Sequence, residues 1–178
     1  MTDNIDTTIV DENEVVDVEE CALAGKNTPD ARRYRIRIDD KRYKVTDPVI
    51  TGRQILDKAR LRPADEHLIF QVLNDGMLEE VRLDETVDLR RPGLERFITF
   101  KSDRSFRFVI DGRRFEWGAP EITGMTLKNL AEVDPETYDV WLEVRGEEDR
   151  KVENKEYVRL DTPGVEKFFT GKKTTTEG

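Results

Sequence analysis

The chain has 178 residues, of which 39 % are charged, and its formal net charge is −9. Nine acidic residues and one lysine lie within residues 1–31, so the rest of the chain is close to neutral. A near-neutral body with an acidic N-terminal segment argues against a nucleic-acid-binding protein, which needs a basic face.

Three further features of the composition predict a cytoplasmic protein. No apolar run approaches the ~18 residues that a membrane helix needs, and the N-terminus has neither the basic start nor the apolar stretch of a secretory signal. The single cysteine, Cys21, excludes an internal disulfide framework and is typical of a reducing compartment.

Residues 1–31 are predicted to be a disordered acidic arm, because they contain no aromatic residue and show no fixed period. The apolar stretch in this arm consists of Val15, Val16, Val18 and Leu23. It could add as a strand to the sheet edge of a partner. The alternative, which the composition favours, is a solvated tail.

A β-hairpin and a helix follow. Residues 34–38 alternate apolar and charged side chains, which predicts a strand with one buried face, and the turn at Asp39-Asp40 leads into a second strand. Thr51 is a good N-cap for a helix that we expect to end at Arg62-Pro63. A third strand is predicted over residues 68–73, followed by shorter strands that end near Phe100.

Residues 106–170 repeat the pattern of residues 34–99. Nine residues recur as the same residue type 72 positions later: Ile38, Asp39, Arg42, Pro48, Ile50, Thr51, Gly52, Ala59 and Pro63. Eight later residues recur as the same residue type 71 positions on: Val81, Val87, Leu89, Pro92, Gly93, Glu95, Phe97 and Thr99. The lost residue is placed near the turn Asn74–Gly76. A period of about seventy residues is roughly the minimum for a self-standing domain.

The chain is therefore predicted to contain two tandem domains, residues 32–101 and 105–171, followed by a flexible tail at 172–178. Each domain reads strand, strand, helix, strand, strand, strand, which is an α+β arrangement with a helix on one face of a mixed sheet. The linker of four residues spans roughly 14 Å, so we expect a limited range of domain orientations.

This order at this length resembles the β-grasp fold of ubiquitin. The local motifs resemble those of the bacterial multiubiquitin family of tandem ubiquitin-like domains, and the resemblance covers residues 34–170. The motifs are Pro48-x-Ile50-Thr51-Gly52-Arg53-x-Ile55-Leu56, Glu85-Thr86-Val87-Asp88-Leu89 and Pro92-Gly93-x-Glu95-Arg96-Phe97.

The resemblance implies a protein modifier and not a catalyst. Its partners would be an E1-like adenylating enzyme, an E2-like carrier, a JAB-type metallopeptidase and target proteins, and the carboxylate of Gly178 would be the activated group. Glycine suits this chemistry because it has no Cβ to obstruct a narrow channel. The alternative is a non-conjugated adaptor that self-assembles into a homo-oligomer, with its N-terminal arm docked on another copy.

The predicted protein-binding residues lie on the third strand. If Leu68, Phe70 and Val72 face the core, then Ile69 and Leu73 point outward, and the same offset places Trp141 outward in the second repeat. By the resemblance, ubiquitin binds partners through the equivalent isoleucine. The alternative for Trp141 is packing against the neighbouring repeat or under the C-terminal tail.

The sequence offers no catalytic, cofactor-binding or metal-binding constellation. His67 is the only histidine and has no second histidine or cysteine pair with which to bind zinc. Carboxylate pairs fall in predicted turns, and neither a phosphate-binding loop nor a nucleophile elbow is present. We therefore expect no enzyme activity and no cofactor, and we expect neither nucleic acid nor membrane as a partner.

Overall fold

The computed structural model describes residues 14–174. The first repeat and the segment before it form eight strands and two helices. The strands are β1 (Val15–Asp17), β2 (Arg33–Ile38), β3 (Lys41–Val45), β4 (Val49–Thr51), β5 (His67–Leu73), β6 (Leu78–Val81), β7 (Thr86–Asp88) and β8 (Leu94–Lys101). The helices are α1 (Val18–Leu23) and α2 (Gly52–Ala59), and a short 3-10 turn spans Ala64–Glu66.

The second repeat forms seven strands and one helix. The strands are β9 (Phe106–Ile110), β10 (Arg113–Trp117), β11 (Glu121–Thr123), β12 (Tyr138–Leu142), β13 (Arg150–Val152), β14 (Tyr157–Arg159) and β15 (Glu166–Lys172). The helix is α3 (Gly124–Leu130).

Both repeats build the same mixed sheet. The strand order is β3-β2-β8-β5-β6 in the first repeat and β10-β9-β15-β12-β13 in the second. The central pairs β2–β8 and β9–β15 are parallel, and the other neighbours in these two orders are antiparallel. A hairpin, a helix and strands that return beside the hairpin make up the β-grasp order, so the predicted fold class is confirmed.

The helices begin where the sequence predicts and end earlier than expected. The Thr51 Oγ1 accepts a hydrogen bond from the backbone N–H of Gln54, and the Gln54 side chain accepts one from the Thr51 N–H, which forms a capping box. The helix α2 ends at Ala59, because Arg60 adopts the left-handed conformation with φ 59°. The prediction that α2 continues to Arg62-Pro63 is therefore wrong by about one turn.

Each repeat has its own hydrophobic core between its sheet and its helix. The first core includes Ile36, Ile50, Ile55, Leu56, Val87 and Phe97. The second core includes Phe108, Ile110, Ile122, Leu127, Val140 and Phe168. Two cores in one chain of this length agree with two small domains, as the repeat predicts.

The N-terminal segment corrects the expectation of a disordered arm over residues 1–31. Residues 1–13 lie outside the described residues, but β1 pairs in parallel with the start of β2, and Asp17 caps helix α1. Val16 and Val18 are buried in the first core, whereas Leu23 is 60 % exposed. The arm therefore donates a strand, but to its own chain.

Candidate protein-binding surface

The structure places the third strand of the first repeat with the opposite face inward from the one predicted. Ile69 is fully buried in the first core, and its Cδ1 lies close to Gly52 at the start of α2. Leu73 is partly exposed beside an irregularity in the β5–β8 pairing. The outward position predicted for Ile69 is therefore wrong, because Ile69 is a core residue, and the predicted role of Leu73 in protein binding stays a prediction.

The error comes from the position of the single lost residue. Ile69 pairs with Thr99, and Val140 pairs with Thr170, so the offset between the repeats is already 71 at the start of the third strand. The residue is lost before β5 and β12, and not at the turn Asn74–Gly76. A shift of one residue moves every side chain of a strand to the other face, which explains the inverted prediction.

The outer face of β5 is covered by the second repeat. Phe70 is buried against Trp117, with ring centroids 5.2 Å apart, and a third hydrophobic cluster forms between the repeats. We call it the inter-repeat cluster. Its members are Leu68, Phe70, Val72, Leu78, Ile98 and Phe100 from the first repeat, with Trp117, Ala119 and Tyr157 from the second. This face, which the sequence analysis assigned to the core, is thus unavailable to other proteins.

Polar contacts reinforce the same interface. The Thr123 Oγ1 donates to the Gly76 carbonyl at 2.6 Å, and the Leu78 N–H donates to the Thr126 Oγ1 at 3.0 Å. Both acceptors and donors are buried, so breaking either bond would leave an unsatisfied polar group. These bonds join the turn before β6 and the start of β6 to the start of α3, and such contacts between the repeats agree with the limited orientation predicted from the short linker.

The rim of this interface carries a tyrosine–arginine contact. The Arg96 Nη2 donates to the Tyr157 hydroxyl at 3.2 Å, and the guanidinium lies 5.9 Å from the tyrosine ring centroid. Burial raises the pKa of Tyr157 above its ordinary value, while Arg96 acts in the opposite direction. The hydroxyl therefore stays protonated and able to hydrogen-bond.

Within residues 14–174, the equivalent face of the second repeat does not belong to the inter-repeat cluster. Trp141 lies there, on the face opposite Val140, and its ring stacks on Phe169 with centroids 6.4 Å apart and an angle of 9°. Both aromatic residues are half-buried. We call this pair the aromatic pair, and within residues 14–174 it is not part of the inter-repeat cluster. Packing of Trp141 under the C-terminal tail stays untested, because residues 175–178 lie outside the described residues. Its role in protein binding stays a prediction.

Lys151 pairs with Trp141 across β12 and β13, and Asp139 lies two residues before Trp141 on β12. Asp139 lies 3.4 Å from the Lys151 Nζ and 3.8 Å from the Lys128 Nζ. Burial lowers the pKa of Lys128, and the nearby Lys173 lowers it further. The face therefore combines an aromatic pair with an ion pair between Lys151 and Asp139, and aromatic residues are frequent anchors of protein interfaces.

Sequence reasoning missed Phe70, Trp117, Tyr157 and Phe169. The signal for Phe70 was present, since residues 68–73 are apolar at nearly every position and so predict a strand buried on both faces. For Phe169, the doublet Phe168-Phe169 in one strand places one aromatic ring on each face of the sheet.

The remaining predicted sites are placed as follows. Gly178 lies outside the described residues, and Val15, Val16 and Val18 belong to the first repeat's own structure. Within residues 14–174 no group of three or more metal-ligating side chains is found. None of the helices in that range is long and apolar enough to cross a membrane.

Comparison with known proteins gives one family. A sequence model of multiubiquitin matches residues 34–102 and again residues 106–173. A search of curated proteins finds no match to the chain. The two matched regions coincide with the two β-grasp repeats and together cover well over half of the sequence, so the chain belongs to the multiubiquitin family.

Proposed function

We propose that this protein is a ubiquitin-like modifier that is activated at the carboxylate of Gly178 and attached to target proteins. The observation that carries the proposal is the tandem of β-grasp domains that match the multiubiquitin family. A non-enzymatic role fits the same fold, whose surfaces serve recognition. An E1-like adenylating enzyme, an E2-like carrier, a JAB-type metallopeptidase and the targets are the proposed partners.

The last strand supports the proposal by its position. β15 lies in the middle of the second sheet between β9 and β12, and the Lys173 N–H extends the pairing by donating to the Thr137 carbonyl. The last described residue is Thr174, and the four residues to Gly178 cover at most about 14 Å. An activating enzyme that binds the second repeat would thus hold the reacting carboxylate close by.

The proposed chemistry needs only the carboxylate from this chain. The Gly178 carboxylate attacks the α-phosphorus of ATP, the bond between the α- and β-phosphates breaks, and pyrophosphate leaves as the acyl adenylate forms. A thiolate of the activating enzyme then displaces AMP to form a thioester. Finally an amine of the target attacks the thioester, the thiol leaves, and an amide bond forms. A glycine at the reacting end reduces steric obstruction in each step.

The test is charging with ATP and the cognate E1-like adenylating enzyme. Mass spectrometry would detect the adenylate or thioester on the wild-type chain, and deletion of Gly178 should abolish it. The matched control is Glu177→Gln, which keeps the terminal glycine and should still be charged. Unaltered charging of the deletion variant would refute activation at Gly178.

A second candidate function, a non-conjugated adaptor, is favoured by the half-exposed aromatic pair. Tryptophan is a frequent anchor of protein interfaces. We expect Trp141→Ala to weaken complexes of an adaptor while leaving the first repeat intact. Light scattering at increasing protein concentration distinguishes a self-assembling adaptor from a monomeric one. The mass of a self-assembling adaptor should rise with concentration, and it should be lower for the Trp141→Ala variant at the same concentration.

A further inference from the structure

The segment Val15–Leu23 fills a site on the first repeat. β1 pairs in parallel with Arg33–Arg35 of β2, in line with the start of β8. The Asp17 carboxylate lies 3.6 Å from the Arg35 Nη1 and 3.9 Å from the Arg42 Nη1. A β-branched pair followed by an aspartate thus docks by backbone pairing, apolar burial and contact with two arginines.

The second repeat carries the same two arginines without this segment. Arg107 and Arg114 stand 72 residues after Arg35 and Arg42, at the same positions of the hairpin. Arg107 pairs with Glu116 across the hairpin at 3.2 Å, and both side chains are largely exposed. In the part of the chain that the structure describes, Arg114 has no ion-pair partner.

The backbone edge beside these arginines is also open. The pairing of β9 with β15 starts at Phe108, so among residues 14–174 no strand pairs with residues 105–107 on that side. These are the positions that β1 occupies on β2. A cavity of about 530 Å³ adjoins this edge across β10, β9 and β15, and its lining includes Arg107, Arg114, Glu116, Val165 and Lys167.

Apolar residues at equivalent positions are more exposed in the second repeat than in the first, as expected if the equivalent site in the second repeat is empty. Leu94 at the start of β8 is 1 % exposed, whereas its counterpart Val165 is 54 % exposed. Tyr34 is fully buried, whereas its counterpart Phe106 is only half-buried. The second repeat therefore presents apolar surface that the N-terminal segment covers in the first repeat, and large exposed apolar side chains at one place mark interaction sites.

We infer that the edge of the second repeat at Phe106, Arg107, Arg114 and Val165, here called the acceptor groove, binds an acidic extended segment of another protein by strand addition. The segment would carry two β-branched residues followed by an aspartate, as Val15-Val16-Asp17 does. Backbone pairing supplies affinity in this mode and the side chains supply specificity. Arg107, Arg114 and Lys167 outnumber the one carboxylate of the groove, Glu116, so the groove has the opposite net charge to such a segment.

The chain's own arm is not the occupant. Val16, Val18 and Ala22 are buried in the first repeat, and the Asn74 side chain donates to the Ala22 carbonyl. Moving the arm to the second repeat of another copy would break as many contacts as it forms, with an added cost of association. A free segment from a different protein meets no such competition.

The probe is a fluorescent peptide of residues 14–23 with Cys21→Ser, titrated into the full chain at about 0.15 M salt. Fluorescence anisotropy should show saturable binding of this peptide. A scrambled peptide of the same composition should have an affinity at least about tenfold lower. Backbone NMR shifts should concentrate at Phe106, Arg107 and Val165, and not at Arg33–Arg35, where the chain's own β1 is bound.

The decisive variant is the double substitution Arg107→Glu and Arg114→Glu. It should weaken peptide binding by about tenfold or more, because both arginines face the aspartate. The charge-matched control is Arg53→Glu with Arg82→Glu, two exposed arginines of the first repeat, and it should change binding less than about twofold, since screened charges outside the groove contribute little.

Equal binding by the two double variants, equal binding of the scrambled peptide, or shifts confined to the first repeat would each overturn the inference. Analytical ultracentrifugation of the unlabelled chain tests the other occupant. Dimers that form on concentration and vanish in the Arg107→Glu, Arg114→Glu variant would show that a second copy, and not a different protein, fills the groove.

Discussion

The contact between Phe70 and Trp117 predicts an energetic coupling between the two repeats. Phe70 is buried outside both repeat cores, with its ring 5.2 Å from the Trp117 ring. Truncating a buried phenylalanine to alanine costs about 3–5 kcal/mol, and a packed aromatic pair contributes about 0.5–1.5 kcal/mol beyond its area. We therefore expect Phe70→Ala to destabilise the chain by about 3–5 kcal/mol.

The matched control is Ile69→Ala, one residue earlier on the same strand. Ile69 is equally buried but faces the first core, so its truncation should cost about 2–5 kcal/mol without touching the second repeat. Comparison of the two substitutions distinguishes the stability that comes from contacts between the repeats from the stability that comes from contacts within the first core. The two residues are neighbours on the same strand.

The assay is a double-mutant cycle with Trp117→Ala, measured by urea unfolding and far-UV circular dichroism. The Phe70–Trp117 coupling should be about 0.5–1.5 kcal/mol, and the Ile69–Trp117 coupling should stay within about 0.3–0.5 kcal/mol, as for sites without direct contact. A Phe70–Trp117 coupling no larger than the Ile69–Trp117 coupling would refute the assignment of Phe70 to the inter-repeat cluster.

Two further predictions concern the turn after β5 and the acid stability of the first repeat. Gly76 has φ +95°, and a Cβ there would collide with the Asn154 backbone oxygen of the second repeat, so Gly76→Ala should cost about 2–4 kcal/mol in urea unfolding. Gly146→Ala, with φ +81° and open space around it, should cost only about 1–2 kcal/mol, and equal costs would contradict the close approach. A hydrogen bond from Arg91 lowers the pKa of Glu79 from 4.5. The ionised Glu79 therefore stabilises the fold above pH 4.5, and this stabilisation is lost as the pH falls through the lowered pKa. In the Glu79→Gln variant, the free energy of unfolding should therefore fall less on acidification than in the wild type. The difference should be less than about 1 kcal/mol, since solvent screens the half-exposed pair. An unchanged dependence on pH would show that the ion pair does not stabilise the fold.

The sequence by itself determined the duplication, the fold class and the local starts of the elements. Thr51 caps its helix and the turn at Asp39 closes its hairpin as predicted, and their copies Thr123 and Asp111 do the same in the second repeat. These features depend on residues close together in the chain, where side-chain chemistry and backbone preference act directly.

Only the tertiary structure decided which face of β5 is inward. Residues 68–73 are apolar on both sides, because the helix covers one side and the second repeat covers the other, so alternation within the strand carries no preference between Ile69 and Phe70. The loop before the strand hides the lost residue, and one residue there inverts the whole strand.

The N-terminal segment was decided by the tertiary structure for a different physical reason. Its acidic composition predicts a solvated tail, but Asp17 and Glu19 lie against Arg35 and Arg37 of β2, about eighteen residues away in sequence. Long-range charge pairing and the burial of Val18 offset the loss of chain entropy, and neither contact can be read from the local pattern of residues 14–23.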